Sequence, residues 1–204
     1  MSFSEIKSQD DSSNIFKGLE AIVALAPYSA PAIDGIVDET TKEIKELPAG
    51  YEPVGMITED GVTFSADSSE EEVRALGYVS SVRRDTTEAS REVTFSALEV
   101  LRKSLLHIVH GVDEAAITTN SVTGETKLSV PELPQHKHYR LLVIAKDSKT
   151  EAYQARFFPK VQLSSIPETV WSAADTETFE LTFNALTDSV LGTSMDVYTI
   201  KKTA

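Results

Sequence analysis

From Val54 onward, apolar and polar residues alternate in short runs, the two-residue period of half-buried strands. Val54–Thr58 and Val62–Ser65 flank Glu59-Asp60-Gly61, and Asp-Gly between β-prone runs predicts a hairpin turn. Ser65–Glu72 is polar and acidic and reads as a loop, with Gly77–Arg84 and Arg91–Phe95 as the next strands. Further strands are predicted at Ala116–Thr119, Glu125–Val130, Tyr139–Lys146, Glu151–Phe158, Val161–Ile166, Thr178–Asn184 and Met195–Ile200. Tyr139–Lys146 is nearly all apolar, as a central strand would be, whereas Phe179, Leu181 and Phe183 share one face of theirs.

The period changes once. Ser96 followed by Glu99 forms a capping-box pattern, and Leu98, Leu101, Leu105 and Ile108 follow at helical spacing. Gly111 stands where a helix ends in left-handed backbone, so a helix is predicted from about Ala97 to His110. Residues 1–53 lack clear periodicity and read as an N-terminal arm and linker. Their Ala- and Pro-rich stretch could dock on a neighbour or wrap the chain's own domain. Residues 54–204 then form one mainly β (α+β) domain, a sandwich or barrel flanked by a single helix. Within it, Val93–Leu98 and Leu181–Leu186 echo one another over six positions, which fits either a duplicated unit or chance.

Charge narrows the functional classes. The net charge of −13 argues against tight binding of a phosphate backbone, which needs clustered Lys and Arg. Glu59, Asp60, Asp67, Glu70, Glu71 and Glu72 occur with no base among them, and Val161–Ile200 holds no Lys or Arg. Lys137–Lys160 is locally basic instead. Two such blocks suit head-to-tail contact between copies, unless folding interleaves them on one surface. No cysteine is present, which excludes disulfides, thiol nucleophiles and thiolate metal sites. The apolar run Ala21–Ala26 is too short for a signal peptide and nothing approaches a membrane span, so assembly in the cytoplasm is expected.

Candidate chemistry is sparse. His107 and His110 sit three apart on the predicted helix, but no third ligand is implied, and packing is the plainer role. His136 and His138 flank Lys137, a cation that disfavours a metal. No Gly-x-Ser-x-Gly, His-Glu-x-x-His or phosphate-binding loop occurs, so neither catalysis nor a cofactor is expected. A glycosidase pair needs only two carboxylates, yet one Trp and 7% aromatic residues make a poor sugar platform.

The segment Gly50–Gly111 carries a run of distinctive positions: Gly50-Tyr51, Val54-Gly55, Ile57, Glu59-Asp60-Gly61-Val62-Thr63-Phe64-Ser65, then Gly77-Tyr78 with Val82-Arg83 and Asp85. Val93-Thr94-Phe95-Ser96-Ala97-Leu98-Glu99 completes it. In these positions the segment resembles the major tail tube proteins of long-tailed bacteriophages, the siphovirus type, most closely those infecting actinobacteria; Pro159-Lys160-Val161 and Leu181–Leu186 with Asp188 match more loosely. Leu76 departs from the family, which often has Trp there.

The resemblance implies a non-catalytic virion subunit forming homo-hexameric rings that stack into a hollow tube. A tape-measure protein and then DNA would occupy the bore, with a tail terminator closing the tube and no membrane involved. The role of reaching the next ring would fall to the N-terminal arm and to Asp67, Ser68, Ser69, Glu70, Glu71 and Glu72. Glu92, Glu177 and Glu180 lie on polar faces of predicted strands and are the candidates for acids facing the bore. There they would repel DNA within a Debye length of about 8 Å. The rival readings are a ring-forming tail terminator or connector and a host- or carbohydrate-binding sandwich centred on Trp171.

Overall fold

The computed structural model describes residues 2–41, 43–133, 135 and 137–201. The strands are β1 (Glu20–Pro27), β2 (Glu52–Pro53), β3 (Ile57–Val73), β4 (Arg83–Ala97), β5 (Thr118–Thr119), β6 (Thr126–Lys127), β7 (His138–Asp147), β8 (Ala152–Leu163), β9 (Phe179–Ala185) and β10 (Asp196–Ile200). Two short helices, α1 (Phe3–Lys7) and α2 (Lys103–Val109), accompany them. Eight strands form one sheet in the order β2-β1-β7-β8-β9-β4-β3, with β10 beside β8, and every pairing is antiparallel. The sheet does not close, so of the expected sandwich or barrel the barrel is not formed; the fold is a large antiparallel sheet with short helices. β5 and β6 make a separate two-residue ladder.

β8 is the branch point. One of its edges pairs with β7. The other is divided, Tyr153–Phe157 pairing with β10 and Val161–Leu163 with β9. Beyond that division the sheet swings away and β9, β4 and β3 face back toward β1 and β7 across a shared core. Val93, Phe95 and Ala97 of β4 and Phe179, Leu181 and Phe183 of β9 fill that core with Leu141, Val143, Phe158 and Val161. The Phe95 and Phe183 rings stack at 6.1 Å. α2 adds Leu105, Ile108 and Val109. A side chain of this kind contributes about 1.5–3 kcal/mol when fully buried.

The opposite face of β1, β7 and β8 is buried as well. Ala24, Ala26, Leu142, Ile144, Ala155 and Phe157 form a second cluster under Ile33, Ile36 and Tyr51. The Tyr51 hydroxyl donates to the Pro31 carbonyl (2.9 Å) and the Tyr198 hydroxyl to that of Ile33 (3.2 Å), pinning the covering segment. Burial on both faces is why Leu141-Leu142-Val143-Ile144 is an unbroken apolar run. The segment read from sequence as an arm and linker thus contributes β1, which pairs over its whole length with β7.

Several local expectations are corrected. Glu59-Asp60-Gly61 is no turn. Ile57 pairs with Ala97 and Val62 with Phe95, so the residues between them form a bulge in one continuous strand. Ser65–Glu72 is strand rather than loop, and of the strand expected at Gly77–Arg84 only Arg83 and Arg84 are strand, residues 74–82 forming the connection. The helix starts at Lys103 rather than Ala97, because Ala97 stays paired to Phe179 and Ile57 as the end of β4. Glu99 does not cap it. Its carboxylate accepts the Met56 N–H (2.9 Å) and the Arg102 guanidinium, which also reaches the Pro53 carbonyl. The helix end matches expectation, with Gly111 at φ +61°. The two echoing segments prove to be paired neighbours, Val93 opposite Phe183 and Phe95 opposite Leu181, and no helix follows the second among the described residues.

The Glu99 latch fits only over glycine. Gly55 has φ +89°, and a Cβ there would lie 2.3 Å from the Glu99 carboxylate. Gly55→Ala is therefore expected to lower stability by about 1–3 kcal/mol in urea unfolding, a left-handed non-glycine backbone alone accounting for that range. Acid should weaken the fold too. Asp147 accepts the backbone N–H groups of Lys17 (3.0 Å), Lys149 (2.9 Å) and Thr150 (3.3 Å), and those donors, Lys17 first, hold its carboxyl below the usual range. Asp188, wholly buried, is lowered likewise by the N–H groups of Leu191 and Val190. With folded pKa values below the unfolded ones, this stabilisation is complete at neutral pH and drains away as pH falls below about 4. In Asp147→Asn the acid-induced drop in melting temperature should be smaller than in the wild type.

Candidate assembly surfaces

β3 and β4 run on together after they leave the core. Phe64 is the last β3 side chain packed on it, with the Arg156 guanidinium 3.9 Å over its ring and Phe158 stacked at 6.1 Å. Arg91 marks the same level on β4, donating to the Ser194 hydroxyl (2.9 Å). Beyond it the two strands continue as a ribbon exposed on both faces, paired as far as Val73 opposite Arg83. Nothing needs to alternate in such a ribbon, which is why its sequence reads as a loop. Asp67, Ser68 and Ser69 pair with Ser90, Ala89 and Glu88; past a register shift, Glu70, Glu71 and Glu72 pair with Thr86, Asp85 and Arg84.

Charge pairs lace the far end: Arg84 with Glu72 (2.8 Å), Arg83 with Asp85 (2.7 Å) and Arg74 with Glu72 (3.2 Å). Exposed pairs are worth at most about 1 kcal/mol each, and a lone two-stranded ribbon is marginal in water. The ribbon's charged side chains do keep its open edges from pairing at random.

The second surface is the outer face of β3, β4 and β9. By register Ser65, Glu92 and Asn184 lie in one row, Thr63, Thr94 and Thr182 in the next, then Ser96 and Glu180. The Thr94 and Thr182 hydroxyls hydrogen-bond at 3.0 Å. Glu92 and Glu180 thus share a face, four residues apart along the strands, or about 13 Å. No lysine or arginine stands in these rows. Glu177 lies two residues before β9, half-exposed, and not in a strand.

The N-terminal segment offers a third surface. α1 carries a reciprocal capping box, Ser2 with Glu5, and buries nothing, so Phe3 and Ile6 face solvent. The Ser-x-x-Glu spacing was present in the sequence and could have located it. Trp171 is also exposed, with no ring stacked on it among the described residues.

Histidine chemistry stays local. His107 packs against Tyr139 (6.1 Å), and burial lowers its pKa. Among the described residues no group of three or more His, Asp or Glu side chains could hold a metal ion; His136 lies outside them. No helix among them is long and apolar enough to cross a membrane.

These features are extended, polar and multiple, as suits contact with other macromolecules rather than turnover of a small substrate. Comparison with known proteins bears on what they contact. No curated protein matches the chain. A family model described as "Phage tail tube protein" matches residues 9–199.

Proposed function

From the chain's membership of the phage tail tube protein family, shown by that match, we propose that it forms hexameric rings which stack into the conduit of a long-tailed phage. The family's members are structural virion proteins, not enzymes. The match over residues 9–199 carries the reading, and the resemblance at Gly50–Gly111 points to the siphovirus type, with actinobacterial hosts. Tape-measure and terminator proteins are the partners this family membership implies, and the assembled tail is the place.

The rows of β3, β4 and β9 that carry Glu92 and Glu180 and hold no lysine or arginine are the surface we assign to the bore. With Glu92 and Glu180 on it, each subunit adds two carboxylates, and sixfold repetition makes a continuous negative wall. DNA phosphates near such a wall find no cation to displace counterions, so the genome slides without sticking. The ribbon carrying Asp67–Glu72 and the segment before β1 are the parts free to reach neighbouring subunits.

Negative-stain microscopy of the purified protein tests the assembly. Long tubes of stacked rings are expected; single rings that never stack would move the assignment to a terminator or connector. The bore assignment is tested in phage carrying Glu92→Lys with Glu180→Lys. Tails should form at normal length while DNA delivery falls by at least about tenfold, since cations now engage phosphates. Unchanged delivery would remove these acids from the bore.

A further inference from the structure

A cleft of about 110 Å³ lies among α2, the residues that follow it and the ends of β1 and β2. Leu25, Ala26, Val54, Leu105 and Ile108 give it an apolar lining. His107, Tyr139, Glu52 and Glu114 also line it, and no lysine or arginine does. These four come from four separate elements, α2, β7, β2 and the turn Glu114–Ala116, so only the fold brings them together.

Each polar group is left with something to accept. Tyr139 is only 4% exposed, and its buried hydroxyl has no hydrogen-bond partner among the described residues. Burial pushes its pKa up to about 12, so it stays neutral at pH 7. A buried hydroxyl without a partner is costly, and such a group marks a place where a partner belongs. His107 is half-buried, and burial lowers its pKa, which leaves the imidazole neutral with one free lone pair. Glu52 and Glu114 are exposed and form no ion pair among the described residues, and both act on the His107 ring. The nearest cation, Lys137, is already held by Asp113.

We propose that this cleft binds a primary ammonium on a short alkyl stem. Its head is held by the Glu52 and Glu114 carboxylates, with His107 and the Tyr139 hydroxyl as further acceptors, and its stem lies against Leu25, Leu105 and Ile108. The chemistry sets the class of ligand. An ammonium has three donors and no acceptor, which suits two carboxylates, a neutral imidazole and a phenol oxygen. The carboxylates repel an anion, and a neutral head would leave both of them unanswered. The cleft is smaller than the cavities of about 150 Å³ that admit benzene, so the stem is about three or four carbons long. A free alkylamine and a lysine side chain share this head and stem. The inference needs one subunit only, so the absence of tubes in microscopy would leave it untouched.

Saturation-transfer NMR observes the ligand, so it reads the full-length protein in any state of assembly. Propylammonium, 1-propanol and propionate are alike in stem and differ in the charge of the head. Propylammonium should bind in the millimolar range, and the other two at least about fivefold more weakly. Glu52→Gln with Glu114→Gln should weaken propylammonium by about tenfold at unchanged melting temperature, both carboxylates being exposed and unpaired. Tyr139→Phe should weaken it by about threefold and leave 1-propanol unaffected. Equal binding of the three ligands, or propylammonium binding that survives the double substitution, would overturn the proposal. Nα-acetyl-lysine methylamide binding as tightly as propylammonium would identify a lysine side chain as the source of the head group, and its exclusion a free amine.

Discussion

Burial of both faces of the β7–β8 hairpin is the condition on which the rest of the molecule depends. Leu141 and Val143 look into one apolar cluster and Leu142 and Ile144 into the other, so neither cluster exists without this hairpin. Polar backbone in so dry a place must be fully paired. β1 meets that demand on one side and β10 and β9 share it on the other. The divided edge of β8 then lets the far strands turn back over the first core while the C-terminal strand helps to cover the second.

Much of this centre could be read from the chain. The run Tyr139–Lys146 and the alternations in Arg91–Phe95 and Thr178–Asn184 are direct imprints of burial, and the structure has strands at all three. Where burial leaves no imprint, the reading failed. Ser65–Glu72 has solvent on both faces, so its strand character lies in backbone pairing with β4, which no side-chain period records. Leu98 and Leu101 continue a helical spacing that the backbone does not follow; Leu101 is exposed, and Glu99 is drawn from a cap to the Met56 N–H by a contact across 43 positions. The cover over the second cluster was illegible because Ile33, Ile36 and Tyr51 come from an aperiodic segment and meet a distant strand.

The body and its projections obey different physics. The body is held by apolar packing and keeps its shape alone. The ribbon and α1 bury almost nothing, so their ordering must draw on something outside them. A rigid block thus carries lightly held extensions.

The sheet's connectivity also governs when a subunit can exist. Its first strand pairs with the seventh, Glu20 meeting Lys146 and Pro27 meeting Tyr139, so β1 waits for well over half the chain to be made. β10, at Asp196–Ile200, follows every other described strand in the chain, yet Tyr198 and Ile200 pack on the second cluster. Contacts so distant in sequence fold slowly. The β3–β4 ribbon, by contrast, is a local hairpin available early. Synthesis therefore presents the outer projection before the body behind it is complete, and the projection has its full rigid support only once β10 has been made. The part that reaches outward is in this way ready before the part that holds it in place.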